Sequence, residues 1–397
     1  MKSSTIRLMF IMAILSASSL AGTSNDTDSE RGRWPTGAWE RSNFVSGSLD
    51  YDKIRELDNE IGKGLHGNID SMLVIQDGRI VYEADYNWDY SLQHGDLSYP
   101  SPPPWDYLNT DRYPWLDHGE LHSVQSATKS VMSALVGIAI DRGDLQGLDM
   151  SLSQLLPHRE IKNAGMANIR LENILTMTLG VEWNEWTSYF NPENDATKSE
   201  VTNDWVGYLL DKPVVMEQGK KFNYNSTATQ LLSEALTVAS GVPTDEYAEL
   251  HLFGPIGIKN YHWNKTPEGY INAGAGLYLT IQDLARFALL YEQNGMWQGK
   301  RVIPEDWVLR STKPHIPISP ADPCCEHMAY GYQWWVFRLA DHGAPKMYGG
   351  WGWGGQFPIV VPELNLVAVF TGWNIRDDVD YQYAFDLFYD RVVKTAH

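Results

Sequence analysis

Apolar residues recur at helical spacing near the start of the chain, at Ile54, Leu57, Ile61 and Leu65, and predict a helix over residues 51–65. An apolar run at 72–75, the dipeptide Asp77-Gly78 and a second run at 80–86 predict a β-hairpin. Residues 89–120 then carry Pro100, Pro102, Pro103, Pro104 and Pro114. Proline lacks the amide hydrogen that regular elements need, so a long aromatic-rich loop is expected there, of the kind that shapes a pocket wall. Val131, Leu135, Val136, Ile138 and Ala139 predict a helix over 126–142, with Gly143 just past its end. Further helices are expected at 171–177, 204–210, 227–239, 244–252, 281–294 and 304–311. β-Branched and aromatic residues predict strands at 330–337, 356–361 and 366–371, and a helix over 380–394 closes the chain.

Strands early, helices in the middle and strands late define an α+β fold in which one sheet joins the two chain ends. The sheet-bearing part comprises about 51–143 and 313–397, and a mostly helical part at about 144–312 is inserted between them. No internal repeat or low-complexity tract interrupts this order.

The first residues follow a different pattern. Lys2 and Arg7 precede an apolar run from Leu8 to Leu20, which ends near Ala21 and Gly22. A basic start, a short apolar stretch and small residues at its end predict a secretory signal peptide at 1–22. The run is short for a membrane span, so after its removal no stable span is expected, and a periplasmic or secreted location follows. Residues 23–50 are polar and predict a tail on the surface. Two adjacent cysteines, Cys324 and Cys325, are the only ones in the chain. In an oxidising compartment they can close a vicinal disulfide, and their number leaves no zinc-type ligand set.

Composition narrows the function classes. Acidic residues outnumber basic ones 50 to 31, a net charge of -19 that repels nucleic acid and anionic lipid surfaces. With 43% hydrophobic residues the chain can bury a substantial core. Its 16 Trp and 21 Tyr serve core and apolar pocket alike. No G-x-S-x-G elbow and no H-E-x-x-H pair occurs, which disfavours α/β-hydrolase and zincin chemistry. No cofactor or metal is implied.

Three segments carry candidate chemistry. Lys129 alone among the lysines has a serine three residues before it, Ser126, at the start of the apolar helix. On a helix, positions i and i+3 share a face. The unpaired N–H groups of a first turn stabilise an alkoxide or oxyanion, and a desolvated lysine can exchange a proton near neutral pH. Ser126 as a simple helix cap is the alternative. The second segment is Phe222-Asn223-Tyr224-Asn225-Ser226, where a nearby cation is expected to lower the Tyr224 phenol into the range of a base; a purely structural tyrosine is the alternative. The third runs from Gly349 through Gly350, Trp351, Gly352, Trp353, Gly354 and Gly355 to Gln356, ahead of a strand. It contains G-x-G-x-x-G, but a dinucleotide fingerprint should follow a strand and open a helix. Glycines here permit either close approach of a ligand or a tight turn.

Together these segments resemble the serine β-lactamase and penicillin-binding-protein superfamily, on the class C β-lactamase and esterase side, with most similarity to 6-aminohexanoate-oligomer hydrolases. The resemblance runs from about Ser71 to Trp373. It includes Leu121-His122-Ser123-Val124-Gln125-Ser126-Ala127-Thr128-Lys129-Ser130, Asn173-Ile174-Leu175-Thr176-Met177-Thr178 with Gly180, and Asp204-Trp205-Val206. It continues through the Tyr224 loop, Leu252-Phe253-Gly254-Pro255-Ile256-Gly257-Ile258 and Gly354-Gly355-Gln356. It implies a β-lactamase/D,D-peptidase-like fold with an antiparallel sheet. It also implies Ser126 as nucleophile, Lys129 as its proton partner and Tyr224 as general base and acid, with the backbone N–H groups of Ser126 and Trp353 as oxyanion hole. Two positions depart from the class C pattern: Ser226 stands where many members have Asn, and Gly350 where a Lys or His is usual. Both missing groups recognise penicillin-like substrates in the family.

The leading expectation is an acyl-serine hydrolase for small esters or short amides. A D,D-peptidase or β-lactamase, and a catalytically silent binding or sensor domain of the same fold, are the alternatives. Trp183, Trp186, Tyr189, Trp205 and Trp353 are candidate walls of the acyl pocket, and Gly352, Gly354, Gly355 and Gln356 candidate substrate contacts; core packing explains the aromatic residues equally well. His122, close to Ser126 in sequence, is read as structural.

Overall fold

The computed structural model describes residues 34–35, 37–42, 49–90, 120–318, 328–337, 343, 345–376 and 383–396. The expected signal peptide, most of the polar tail, the proline-rich loop and the Cys324–Cys325 pair lie outside these residues.

Helix α1 (Tyr51–Gly62) starts on the Asp50 side chain, which accepts from the Asp52 amide, and buries Ile54, Leu57 and Ile61. It stops before Leu65 because Gly64 turns left-handed at φ +71°. Leu65 is therefore 64% exposed, outside the apolar stripe it was expected to extend. Strands β1 (Ile69–Gln76) and β2 (Arg79–Asp85) pair across Asp77 and Gly78, both at positive φ, the backbone that a two-residue hairpin requires. Of the tail, Trp39 is buried, and Glu40 and Ser42 exchange backbone hydrogen bonds with Ile80 on the free side of β2.

Six further strands complete an eight-stranded antiparallel sheet: β3 (Ile316–Pro317), β4 (Ala329–Tyr330), β5 (Trp335–Phe337), β6 (Met347–Gly349), β7 (Phe357–Val361) and β8 (Leu366–Gly372). The order is β2-β1-β8-β7-β6-β5-β4-β3, so the N-terminal hairpin pairs with the last strand, Leu73 opposite Val369 and Ile75 opposite Val367. Successive side chains point to opposite faces. Leu73, Ile75, Val360, Val367 and Val369 enter one core with the central helices. Met72, Val74, Ile359, Val361, Ala368 and Phe370 enter a second core with α1 and the C-terminal helix. The single strand expected over 330–337 is two short strands instead. Gln333 at φ +62° and Gly331 make a turn between them, and a Cβ on Gly331 would lie 2.1 Å from the Ser311 carbonyl oxygen.

Helix α2 (Thr128–Arg142) precedes the expected helical part, which holds α3 (Asp195–Glu200), α4 (Trp205–Leu210), α5 (Ser226–Ser240) and α6 (Ile281–Glu292). Helix α3 was not expected: its sequence, DATKSE, has no apolar period. It forms because the Asn194 side chain accepts from the amides of Ala196 and Thr197. A small sheet that was not expected sets Leu277–Leu279 between His122–Ser123 and His262–Trp263. Strands of two or three residues show no readable alternation. The helix expected over 244–252 ends as an α-turn at Ala248 and continues as a wide π-turn over Glu249–Phe253. Near the C-terminus α7 (Ala384–Phe388) passes into a similar turn over Tyr389–Val393. Among the described residues no helix is long and apolar enough to cross a membrane.

Helix α2 is buried on all sides from Thr128 to Ala139. It lies against the helix Glu305–Ser311 so closely that a Cβ on Gly137 would stand 2.3–2.4 Å from three indole atoms of Trp307. Gly137→Ala is therefore expected to destabilise the protein by about 2 kcal/mol, although alanine favours a helix. Thermal or denaturant unfolding measures this, and an unchanged midpoint would mean that the two helices can separate freely.

Candidate active site

Ser126 lies in a 3₁₀ turn, Gln125–Ala127, that leads into α2. Two contacts shape that turn: the Val124 amide donates to the Leu277 carbonyl at 2.9 Å, and the Ala127 amide to the Val124 carbonyl at 3.0 Å. Between them Gln125 adopts φ +46°, a left-handed conformation that costs a non-glycine residue about 1 kcal/mol. The strain leaves Ser126 partly exposed while its neighbours are buried. One turn on, along the same face, Lys129 is only 1% exposed. Its Nζ stands 2.9 Å from Ser126 Oγ, 3.0 Å from Ser226 Oγ and 2.7 Å from the Gly274 carbonyl oxygen. Burial pulls the ammonium down from the ordinary lysine value to about 8, against the opposing charges of Glu185 and Glu200.

Tyr224 arrives from the loop before α5, and Ser226 is the first residue of that helix. That loop is tied to its surroundings by the Asn223 amide, which donates to the Met177 carbonyl at 2.9 Å, and by Asn223 Nδ2, which donates to the Trp183 carbonyl at 3.1 Å. Asn225 caps α5 by accepting from the Ala228 amide. Lys129 Nζ lies 4.9 Å from the centroid of the Tyr224 ring. The fold thus gathers Ser126, Lys129 and Tyr224 at one place. The acidity of the phenol, however, runs opposite to the expectation from sequence. Burial first and the Glu185 charge second raise its pKa above the ordinary tyrosine value, and the hydroxyls of Ser126 and Ser226 only partly offset them. Tyr224 is held as a protonated phenol and is no ready base.

Glu185 is the residue that sequence reading missed. It is 5% exposed and lies outside any helix or strand. One carboxylate oxygen accepts from the Trp183 indole and the Ser226 amide, each at 2.8 Å. The other accepts from the Tyr189 hydroxyl at 3.0 Å and from the Ser226 hydroxyl. The only signal in the sequence is an acidic residue between two tryptophans in a stretch without periodicity.

The expected pocket residues separate into groups. Trp186, 44% exposed, packs its ring 6.2 Å from that of Tyr224, beside Phe222. Trp335 lies 5.8 Å from Tyr224 on the sheet side. Trp183 is buried, and Tyr189 sets its ring 5.4 Å from Trp353; both hold Glu185. Trp205 is buried at the start of α4, where its amide donates to Glu268.

In the glycine-rich segment, Gly354 at φ +85° and Gly355 at φ +113° form a tight turn closed by Gly352 and Gln356. A Cβ on Gly352 would lie 2.4 Å from the Val124 carbonyl oxygen. The close approach that glycine permits is therefore to the backbone leading into Ser126. Gln356 was expected to contact substrate, but it is fully buried and its amide binds backbone groups of Trp353 and Gly372. It braces the turn. His122 contacts Asp70 Oδ2 and the Ser123 carbonyl, each at 2.9 Å. Among the described residues no group of three or more His, Cys, Asp or Glu side chains is arranged to hold a metal.

A serine touched by a buried, partly neutral lysine at the head of a central helix is the arrangement of an acyl-serine hydrolase. Comparison with known proteins places it. The Beta-lactamase family model matches residues 63–374. The N-acetylmuramyl-L-alanine amidase of Bacillus subtilis is 20% identical over 380 residues, covering 80% of each chain. A Bacillus anthracis protein assigned as a 6-aminohexanoate-dimer hydrolase superposes with a TM-score of 0.67 at 16% identity, over 91% of this chain and 87% of that one. EstCE1, a hydrolase with promiscuous acyltransferase activity, superposes at 0.61 with 15% identity, over 81% and 93%. At such identities the solved structures speak for the fold, and the match over most of the chain speaks for the family. This chain belongs to the β-lactamase family.

Proposed function

We propose that the protein is an exported serine hydrolase that cleaves carboxylic esters or short amides through an acyl-enzyme on Ser126. The observation that carries this reading is the buried Lys129 amine 2.9 Å from Ser126 Oγ, with an acidity that leaves a useful fraction neutral near pH 8. Neutral Lys129 takes the Ser126 proton as Oγ bonds to the substrate carbonyl carbon. The carbonyl oxygen becomes an oxyanion facing the backbone N–H groups of Ser126 and Trp353. As the intermediate collapses, the Tyr224 phenol gives its proton to the leaving oxygen or nitrogen, and the Lys129 ammonium restores that proton. Water then attacks the acyl carbon as Lys129 takes its proton, and Lys129 hands that proton to Ser126 Oγ as the acyl C–O bond breaks and the acid is released.

Esters and simple amides are favoured over penicillins because no cationic side chain stands at Gly350. A Cβ there would already lie 3.0 Å from Ala127 Cβ. An amide substrate is in keeping with the similarity to the N-acetylmuramyl-L-alanine amidase of Bacillus subtilis. Export rests on the basic, apolar and small-residue pattern of the first 22 positions.

Rapid mixing with a p-nitrophenyl ester is expected to release a burst of nitrophenol stoichiometric with enzyme, together with one acyl adduct by intact mass. Ser126→Ala abolishes both. A rate unchanged in that variant would remove the proposal.

A further inference from the structure

A neutral amine has two N–H bonds and one lone pair, and Lys129 Nζ has three oxygen neighbours. The Gly274 carbonyl can only accept. It is held in place by the Ala273 amide, which donates to Gln230 Oε1 at 3.0 Å, and the Gly274 amide, which donates to Asn272 Oδ1 at 3.2 Å. Ser226 could in principle donate or accept, but its hydroxyl hydrogen goes to a Glu185 oxygen. Its remaining capacity toward Lys129 is that of an acceptor. Both N–H bonds of the neutral amine are thereby committed, to Gly274 and to Ser226. The lone pair has one direction left, toward the hydroxyl of Ser126.

We propose that Glu185 is a positioning residue for acylation: by taking the hydroxyl proton of Ser226 it aims the lone pair of Lys129 at the nucleophile. The inference rests on the proposed serine-hydrolase reading. It gives a role to a buried carboxylate that four donors saturate and that therefore has no lone pair to offer a substrate. The carboxylate also receives the amide of the first residue of α5, where a negative charge is favourable. Around Lys129 the charged and titratable groups are Glu185 and Glu200, which both favour the ammonium, and the Tyr224 phenol. Around Glu185 are the phenols of Tyr189, Tyr224 and Tyr330, all raised by burial and by its charge.

Glu185→Gln preserves shape but turns one acceptor oxygen into a donor. Its amide then faces Ser226 Oγ, Ser226 is forced to donate to Lys129, and the lone pair is diverted from Ser126. The plateau of kcat/KM for a p-nitrophenyl ester is expected to fall at least about tenfold. The rising limb of its pH profile moves to lower pH by about half a unit or more, because a charge favouring the ammonium is gone. Loss of packing alone would lower the plateau and leave the limb in place. Ser226→Ala and Ser226→Thr provide a second measurement should Glu185→Gln fold poorly, with Thr, which keeps the hydroxyl, expected to exceed Ala at least tenfold. A Glu185→Gln plateau within twofold of wild type, an unmoved limb, or equal activity of the two Ser226 variants would overturn the inference. Wild-type enzyme that shows no burst would instead remove the hydrolase reading itself, so the two failures are distinguishable.

Discussion

Lys129→Met is expected to lower kcat/KM toward an ester by about 10⁴-fold, the largest loss after that of the nucleophile. Methionine fills the buried channel without an amine, so Ser126 keeps its place and loses its base. On the proposed mechanism the same residue sets the pH dependence of the wild-type protein. Burial lowers its pKa to about 8, so the neutral form, which the proposed mechanism needs, accumulates as pH rises through that value. The logarithm of kcat/KM should climb with unit slope below about pH 8 and level off above it. A profile flat from pH 6 to 9 would show that the amine of Lys129 is not the group that takes the proton.

Tyr224→Phe separates the two proton transfers. Since burial and Glu185 keep the phenol protonated, its work falls on the leaving group. A p-nitrophenolate leaves without help, and its ester should be hydrolysed within about tenfold of the wild-type rate. An alkyl ester or anilide, whose leaving group needs a proton, should lose about 10³-fold. Equal losses on both substrates would assign Tyr224 to the attack step instead. The ratio of the two rates is the readout, and a general loss of folded protein cannot change it.

Local rules carried much of the fold. Asp77-Gly78 announced the hairpin because few other residues adopt two successive left-handed positions. Gly143, left-handed at φ +82°, ended α2 where it was expected to. The i, i+3 spacing of Ser126 and Lys129 put both on one helical face. Local rules failed where tertiary contact chose the conformation. The apolar stretch 330–337 reads as one strand, yet the Ser311 carbonyl presses against Gly331 and the chain turns back. Helix α3 has no apolar stripe and exists through its cap and its burial.

The sequence by itself determined which family this chain resembles and which serine and lysine can meet, because Ser126 and Lys129 lie within one helical turn. Only the tertiary structure decided what surrounds those groups. Glu185 reaches Ser226 across 41 positions, and Gly274 reaches Lys129 across 145. Acidity depends on the oxygen atoms and charges that surround a group and on the water excluded from it. No spacing along a chain encodes those surroundings, so the phenol whose pKa a nearby cation was expected to lower has it raised by burial and by Glu185 instead.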